Sequence, residues 1–146
     1  MPTFPPNSEA PLILREVFGF SSFRPGQEEV LAAVLAGDNV LVVMPTGSGK
    51  SLCFQIPALI QGGLTVVVSP LVALMEDQVA GLKLSGVAAE TINSSHDYQV
   101  NAASWRRAAA GRTRLLYISP ERLMTVRMLE ALQQLPLKLI VIDEAH

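Results

Sequence analysis

Four short apolar runs constrain this chain more than any other feature of it. "NVLVV" (39–43), "LTVVV" (64–68), "LLYI" (115–118) and "LKLIVI" (137–142) are too short for helices and nearly unbroken by polar residues. Such runs read as strands covered on both faces. "VAAETI" is a weaker strand of the same kind. The stretches between them have helical length, and strands alternating with helices call for a parallel sheet. Ser8 is placed to cap a helix through Ile13, Leu14 and Val17 toward Gly19. A second helix is predicted from near Pro25 to Leu35, ended by Gly37–Asp38. A third runs through Leu52, Cys53 and Ile56, with a kink expected at Pro57 and an end at Gly62–Gly63. Further helices are predicted at 71–82 and 97–110, and "RLLYISPERL" reads as a strand and turn into a short helix. The expectation is an α/β fold: a three-layer parallel sheet over residues 11–146, behind a flexible, proline-bearing lead-in at 1–10.

Bulk properties exclude several classes. A length of 146 residues suits one domain, and 49% hydrophobic content supplies its core. The net charge of −2 gives no electrostatic case for a nucleic-acid partner. The single cysteine, Cys53, has no partner for a disulfide, and no cysteine cluster offers a zinc site. "MPTFPPNSEA" lacks the basic start and apolar run of a signal peptide. No apolar stretch is long enough to cross a membrane. The expected location is cytoplasmic.

In parallel sheets, ligands bind beyond the carboxyl ends of the strands. The glycine loop, "SPL", "NSS", "SPER" and "DEAH" all follow strands, so they should meet at one edge. The first of these, Met44-Pro45-Thr46-Gly47-Ser48-Gly49-Lys50-Ser51, carries the clearest chemistry. Gly47 and Gly49 let the backbone wrap a phosphate, with successive N–H groups pointing inward. The helix that follows adds its positive end. Lys50 is expected to reach the β- and γ-phosphates, and Ser51 to ligate Mg²⁺. Met44 stands where the general pattern has glycine. The other half of a phosphate site is an acid at the end of a strand. Asp143 would hold Mg²⁺ and Glu144 would orient or deprotonate the attacking water. Lys50, Asp143 and Glu144 are thus the candidate catalytic residues.

Together these stretches resemble a superfamily 2 helicase, and more narrowly a RecQ-family DNA helicase. "FGFSSFRPGQEEVL" (18–31) matches that family's adenine-reading motif, and "MPTGSGKSLCFQIPAL" (44–59) its phosphate loop, where methionine is usual. "VVVSPLVALMEDQV" (66–79) and "LLYISPERL" (115–123) match its DNA-facing motifs, and "VIDEAH" (141–146) its acidic motif. The resemblance implies the RecA-like P-loop fold of helicase domain 1, using ATP and Mg²⁺. By the same resemblance Gln27 reads adenine through its carboxamide, Arg24 supports it, and Phe20 stacks on the base. Phe18 and Phe23 are expected in the core. The implied partners are single-stranded and forked duplex DNA, in DNA repair and recombination, near the nucleoid. The implied direction of travel is 3′ to 5′.

For DNA contact the resemblance points to Ser69, Pro70, Asn93, Ser94, Ser95 and Ser119. Ser69 and Ser119 are equally explained as N-caps, each followed by proline at the first helical position. Glu76 is a departure, because the family often has a basic residue there. Arg106, Arg107, Arg112 and Arg114 read as a solvated helix end, Trp105 as a packing residue and His96 as part of a solvated loop.

In full-length relatives the acidic motif is followed by a further strand, inserted between the phosphate-loop strand and the acidic strand. A second RecA-like domain follows. The resemblance therefore implies a fragment, incomplete at its C-terminus, in which Leu41–Val43 and Ile140–Ile142 lack a shared neighbour. Each unsatisfied buried group would cost about 1–3 kcal/mol, so the isolated chain is expected to be poorly stable and inactive as a helicase. An RNA helicase of the same superfamily and a non-catalytic nucleotide-binding remnant remain as alternatives. A small-molecule kinase is more remote, since nothing resembles an acceptor site.

Overall fold

A computed structural model describes residues 9–45 and 49–144. The chain divides into two compact units, parted between Gln61 and Gly62.

The first unit is helical. Helix α1 (Glu9–Glu16), helix α2 (Gln27–Leu35) and helix α3 (Leu52–Gln61) bury one cluster among them. Ala10, Leu14, Leu31, Leu52 and Ile56 form its centre, and Ile13, Phe18, Phe23 and Ile60 pack around it. Phe18 and Phe23 are therefore core-facing, as the sequence predicts. Helix α2 starts two residues later than predicted, behind Gly26 in the left-handed region. It ends where predicted: Gly37 takes a positive φ, its N–H bonds the Val34 carbonyl, and the Asp38 N–H bonds that of Ala33. This paired closure satisfies carbonyls that the helix end would otherwise leave bare. Helix α3 carries Pro57 within a continuous helical span.

One predicted element is absent. Val40–Val43 forms no strand; Leu41 is 86% exposed and Val43 89%. An apolar run becomes a strand only when a neighbour takes up its N–H and C=O groups. Among the described residues none does.

The second unit contains the sheet. Strands β1 (Leu64–Val68), β2 (Ala89–Ile92), β3 (Leu115–Ile118) and β4 (Leu137–Ile142) lie in the order β2-β3-β1-β4, and every pairing is parallel. Helix α4 (Val72–Leu84) links β1 to β2, and α5 (Tyr98–Ala109) links β2 to β3. Two short helices, α6 (Pro120–Leu123) and α7 (Val126–Leu132), lead from β3 to β4. Leu64, Val66, Val68, Leu116 and Ile118 point to one face of the sheet and pack with Trp105, Ala108, Leu123, Met128 and Leu132. The alternate residues point to the other face. There α4 lies against β2 and β3, burying Met75, Val79 and Leu82. Helices on both faces make the expected three layers.

Strands β1, β2 and β3 are buried throughout. Strand β4 departs from that expectation. It lies at the sheet edge and alternates, with Ile140 56% and Ile142 57% exposed.

Candidate functional site

Two groups of sequence-predicted residues come together, one in each unit. In the first unit the adenine motif touches the phosphate loop. Gln27 is 1% exposed. Its Nε2 donates to the Gly49 carbonyl at 2.9 Å, and its Oε1 accepts from the Arg24 N–H at 2.8 Å. The same Gly49 carbonyl accepts from the Leu52 N–H at 3.2 Å, which begins the turn into α3. Gly49 has a φ of 77°, and a Cβ there would sit 2.6 Å from Gln27 Nε2. The positive φ favours glycine, and a side chain there would also have to displace the Gln27 amide from its bond.

Around this contact the aliphatic stem of Arg24 lies beside Gly49, and the end of the Met44 side chain lies beside Gly26. Phe20 is 47% exposed. Lys50 and Ser51 lead into α3, and no described acceptor meets the N–H groups of Gly49, Lys50 or Ser51. Thr46, Gly47 and Ser48 lie outside the described residues, as do Ala145 and His146. Cys53, just inside α3, is buried, and burial pushes its thiol up to about 11 against a smaller opposing backbone hydrogen bond. It is an inert packing group.

In the second unit the parallel register aligns the strand ends. Ile92 pairs with Ile118, Ile118 with Val68, and Val68 with Ile142. The next residue of each strand therefore falls in one row: Asn93, Ser119, Ser69 and Asp143. Three backbone bonds carry the ladder into that row, from Ser119 to Ile92, from Ser69 to Ile118 and from Asp143 to Val68. At the usual strand spacing the row spans about 14 Å.

Each member of the row differs. Ser69 does not cap α4. Its Oγ accepts from the Leu71 N–H at 3.2 Å, and the helix begins one turn-residue later, behind Leu71. That local bond competes with a helix cap. Ser119 does sit at the N-cap position of α6 with Pro120 after it, but its hydroxyl makes no cap bond and is buried without a partner among the described residues. Pro70 is exposed. Asp143 Oδ1 accepts from the Glu144 N–H at 3.0 Å, while Glu144 takes a φ of 57°. A non-glycine residue in that region is uncommon and costs energy. The bend turns the chain sharply at the strand end.

Asn93 is fully buried and anchors its turn. Its Nδ2 donates to Thr91 Oγ1 at 2.8 Å and to Glu76 Oε1 at 3.1 Å. Its Oδ1 accepts from the Ser95 N–H at 2.9 Å and lies 2.6 Å from Ser95 Oγ. His96 Nε2 meets Glu76 Oε1 at 2.7 Å. His96 is thus tied down rather than solvated. Sequence reasoning also missed the partner of Arg107. Its guanidinium meets both oxygens of Glu90 at 2.8 Å, and Ser104 Oγ donates to Glu90 at 3.1 Å. Burial alone would raise the Glu90 carboxyl. The bonds from Arg107 and Ser104 and the charges of Lys83 and Arg107 outweigh it, holding Glu90 below its ordinary value. Fourteen to seventeen residues separate these partners, and no local spacing signals such a pair.

A parallel sheet with its turns gathered at one edge is the frame of an α/β domain that binds its ligand at that edge. Residues 24–146 match the DEAD/DEAH box helicase family, and the chain belongs to it. It is 48% identical over 134 residues to the ATP-dependent DNA helicase RecQ of Haemophilus influenzae, covering 92% of this chain and 22% of that protein. The Pasteurella multocida RecQ is 46% identical, covering 92% and 21%. The Bacillus subtilis RecQ is 43% identical, covering 92% and 23%. The motif resemblance to RecQ helicases is thus carried by overall identity as well. The chain spans between a fifth and a quarter of the length of these relatives. No helix among the described residues is long and apolar enough to cross a membrane.

Proposed function

We propose that this chain is the ATP-binding part of a RecQ-type DNA helicase. In that role it couples ATP hydrolysis to 3′-to-5′ movement along single-stranded DNA and opens forked duplex, together with a second RecA-like domain. The observation that carries the reading is the bond from Gln27 Nε2 to the Gly49 carbonyl. It joins the residue expected to read adenine to the loop expected to hold phosphate. When adenine arrives, the Gln27 carboxamide exchanges one protein partner for the base, and the loop is informed through Gly49. Phe20, already exposed, stacks on the ring. Lys50 supplies the charge at the transferred phosphate, and Glu144 orients the attacking water.

Magnesium suits this donor set. Among the described residues no group of three or more His, Cys, Asp or Glu could hold a metal by itself. The Ser51 hydroxyl and the Asp143 carboxylate are hard oxygen donors, and Mg²⁺ is usually held by one or two such groups plus substrate phosphates. Held by either group together with phosphate oxygens, such an ion would neutralise phosphate charge. The Asp143 bond to the Glu144 N–H leaves its second oxygen for that role.

Nucleic acid is assigned to Ser69, Pro70, Asn93, Ser94, Ser95 and Ser119, beside the strand ends, while Asp143 is kept for the metal. The test is turnover by the intact gene product with and without single-stranded DNA. Lys50→Ala should lower DNA-stimulated hydrolysis by about a hundredfold or more, the loss expected when a charge at the reacting phosphate is removed. Unchanged ATP affinity and turnover would defeat the proposal. Stronger stimulation by RNA than by DNA would move the chain to the RNA helicases. Binding of ATP with no stimulated turnover would mark a nucleotide-binding remnant.

A further inference from the structure

Glu76 is an acid packed against the turn that follows β2, and the structure gives it a task. It lies on α4, and its Oε1 is the meeting point of the turn that follows β2. His96 Nε2 donates to it at 2.7 Å and Asn93 Nδ2 at 3.1 Å. Ser95 Oγ also lies 3.1 Å away. The Ser95 hydroxyl has one proton and a closer acceptor, Asn93 Oδ1 at 2.6 Å, so His96 and Asn93 are the principal donors to Glu76. From the other side, Asn101 on α5 grips the same turn. Its Oδ1 accepts from the Asn93 N–H at 3.3 Å, and its Nδ2 donates to the Asn93 and His96 carbonyls at 3.0 and 3.3 Å. One residue in the turn is left over. Ser94 is exposed and makes no hydrogen bond among the described residues.

We propose that Glu76 is a positioning residue, which fixes the 93–96 turn so that the Ser94 N–H and hydroxyl face the sugar–phosphate backbone of a bound single strand. The inference rests on the nucleic-acid reading above. A carboxylate repels a nearby phosphate whether or not it is hydrogen-bonded, so its use here lies in what its lone pairs organise. Here the donors from the turn take them up, so the acid serves as an anchor while neutral donors make the contact. Phosphate contacts from serine hydroxyls and backbone N–H groups set register without reading sequence, which suits a translocating motor.

The test compares Glu76→Ala with Glu76→Gln in the intact gene product. Alanine is a good helix former, so α4 should persist in the first variant. Glutamine keeps an oxygen that accepts from His96 and Asn93, removes the charge and puts an amide donor in place of the second oxygen. Glu76→Ala should speed amide exchange at Ser95 and His96 without DNA. It should also raise the single-stranded DNA concentration for half-maximal hydrolysis by about tenfold, the scale of one hydrogen bond. Turnover at saturating DNA and the KM for ATP should stay put. Glu76→Gln should remain near wild type in both readouts, and Ser94→Ala should weaken DNA without changing exchange. Equal or tighter DNA binding by Glu76→Ala overturns the proposal, as does a Glu76→Gln variant as impaired as the alanine. If wild-type turnover ignores DNA altogether, the functional reading falls, and the exchange rates still decide whether Glu76 holds the turn.

Discussion

"NVLVV" and "LTVVV" are near twins in composition, yet only one is a strand. Leu64–Val68 is buried at every position, with β3 on one side and β4 on the other. Val40–Val43 is coil, and two of its apolar side chains lie almost wholly in solvent. The difference lies in the neighbours. A strand is stabilised by pairing and by the layers that cover it, so hydrophobicity selects a candidate and the ladder decides. Strand β4 stands between the two cases: it pairs with β1 along one edge and shows alternate residues to solvent.

The comparison breaks first if burial does not separate the twins. Val67 is fully buried in β1. Val67→Asp places an unpaired charge there and should cost about 4 kcal/mol or more, enough to unfold the second unit. Val43→Asp, at a solvent-facing position, should change stability by about 0.5 kcal/mol or less. Urea melts of both variants check this. Comparable losses would mean that 40–43 is packed in solution, contrary to the structure.

The opposite edge of the sheet gives a sharper version. Strand β2 is also an edge, but its Glu90 is covered by α5 and clamped by Arg107. Removing the clamp by Arg107→Ala should cost about 1–2 kcal/mol at neutral pH, since the arginine is partly exposed and solvent screens the pair. The pH dependence has a definite sign. The folded Glu90 titrates below its ordinary value of 4.5. Its contribution is complete above 4.5 and fades as pH falls through the lower folded value. The gap between wild type and Arg107→Ala should therefore close in acid, below about 4.5, in melts run across that range. A gap independent of pH would point to lost packing by the arginine stem.

How far the sequence reveals the molecule follows the same division. Strands β1 and β3 are legible because burial on both faces leaves an unbroken apolar run, and their turns are legible from Ser-Pro. The carboxyl-edge row is legible too, since parallel strands place every following turn together. Helix α7 is not foreseen, although Thr125 caps it by accepting from the Met128 N–H. The Ser69 bond to Leu71 imitates a cap closely enough that residue type alone cannot separate them. The Glu76 and Glu90 networks join residues brought together only by tertiary folding. Gln27 is legible as a functional candidate, but its bond to Gly49 is not, since a backbone carbonyl leaves no mark in the sequence.

The smallest effect belongs to β4, and it tests whether exposure along an edge strand is real. Ile140 and Ile142 face solvent while Leu139 and Val141 are partly covered. Period two along a strand means that one face can change without the other. Ile140→Thr and Ile142→Thr keep β-branching, so strand propensity is retained. Each should therefore shift stability by about 0.5 kcal/mol or less and lower self-association, because a bare apolar edge is a template for pairing. Val141→Thr should cost about 1 kcal/mol or more, from placing a hydroxyl on the covered face. Melting curves and sedimentation of the three variants separate these outcomes. If the isoleucine variants lose as much stability as Val141→Thr, β4 is covered on both faces in solution and behaves like β1.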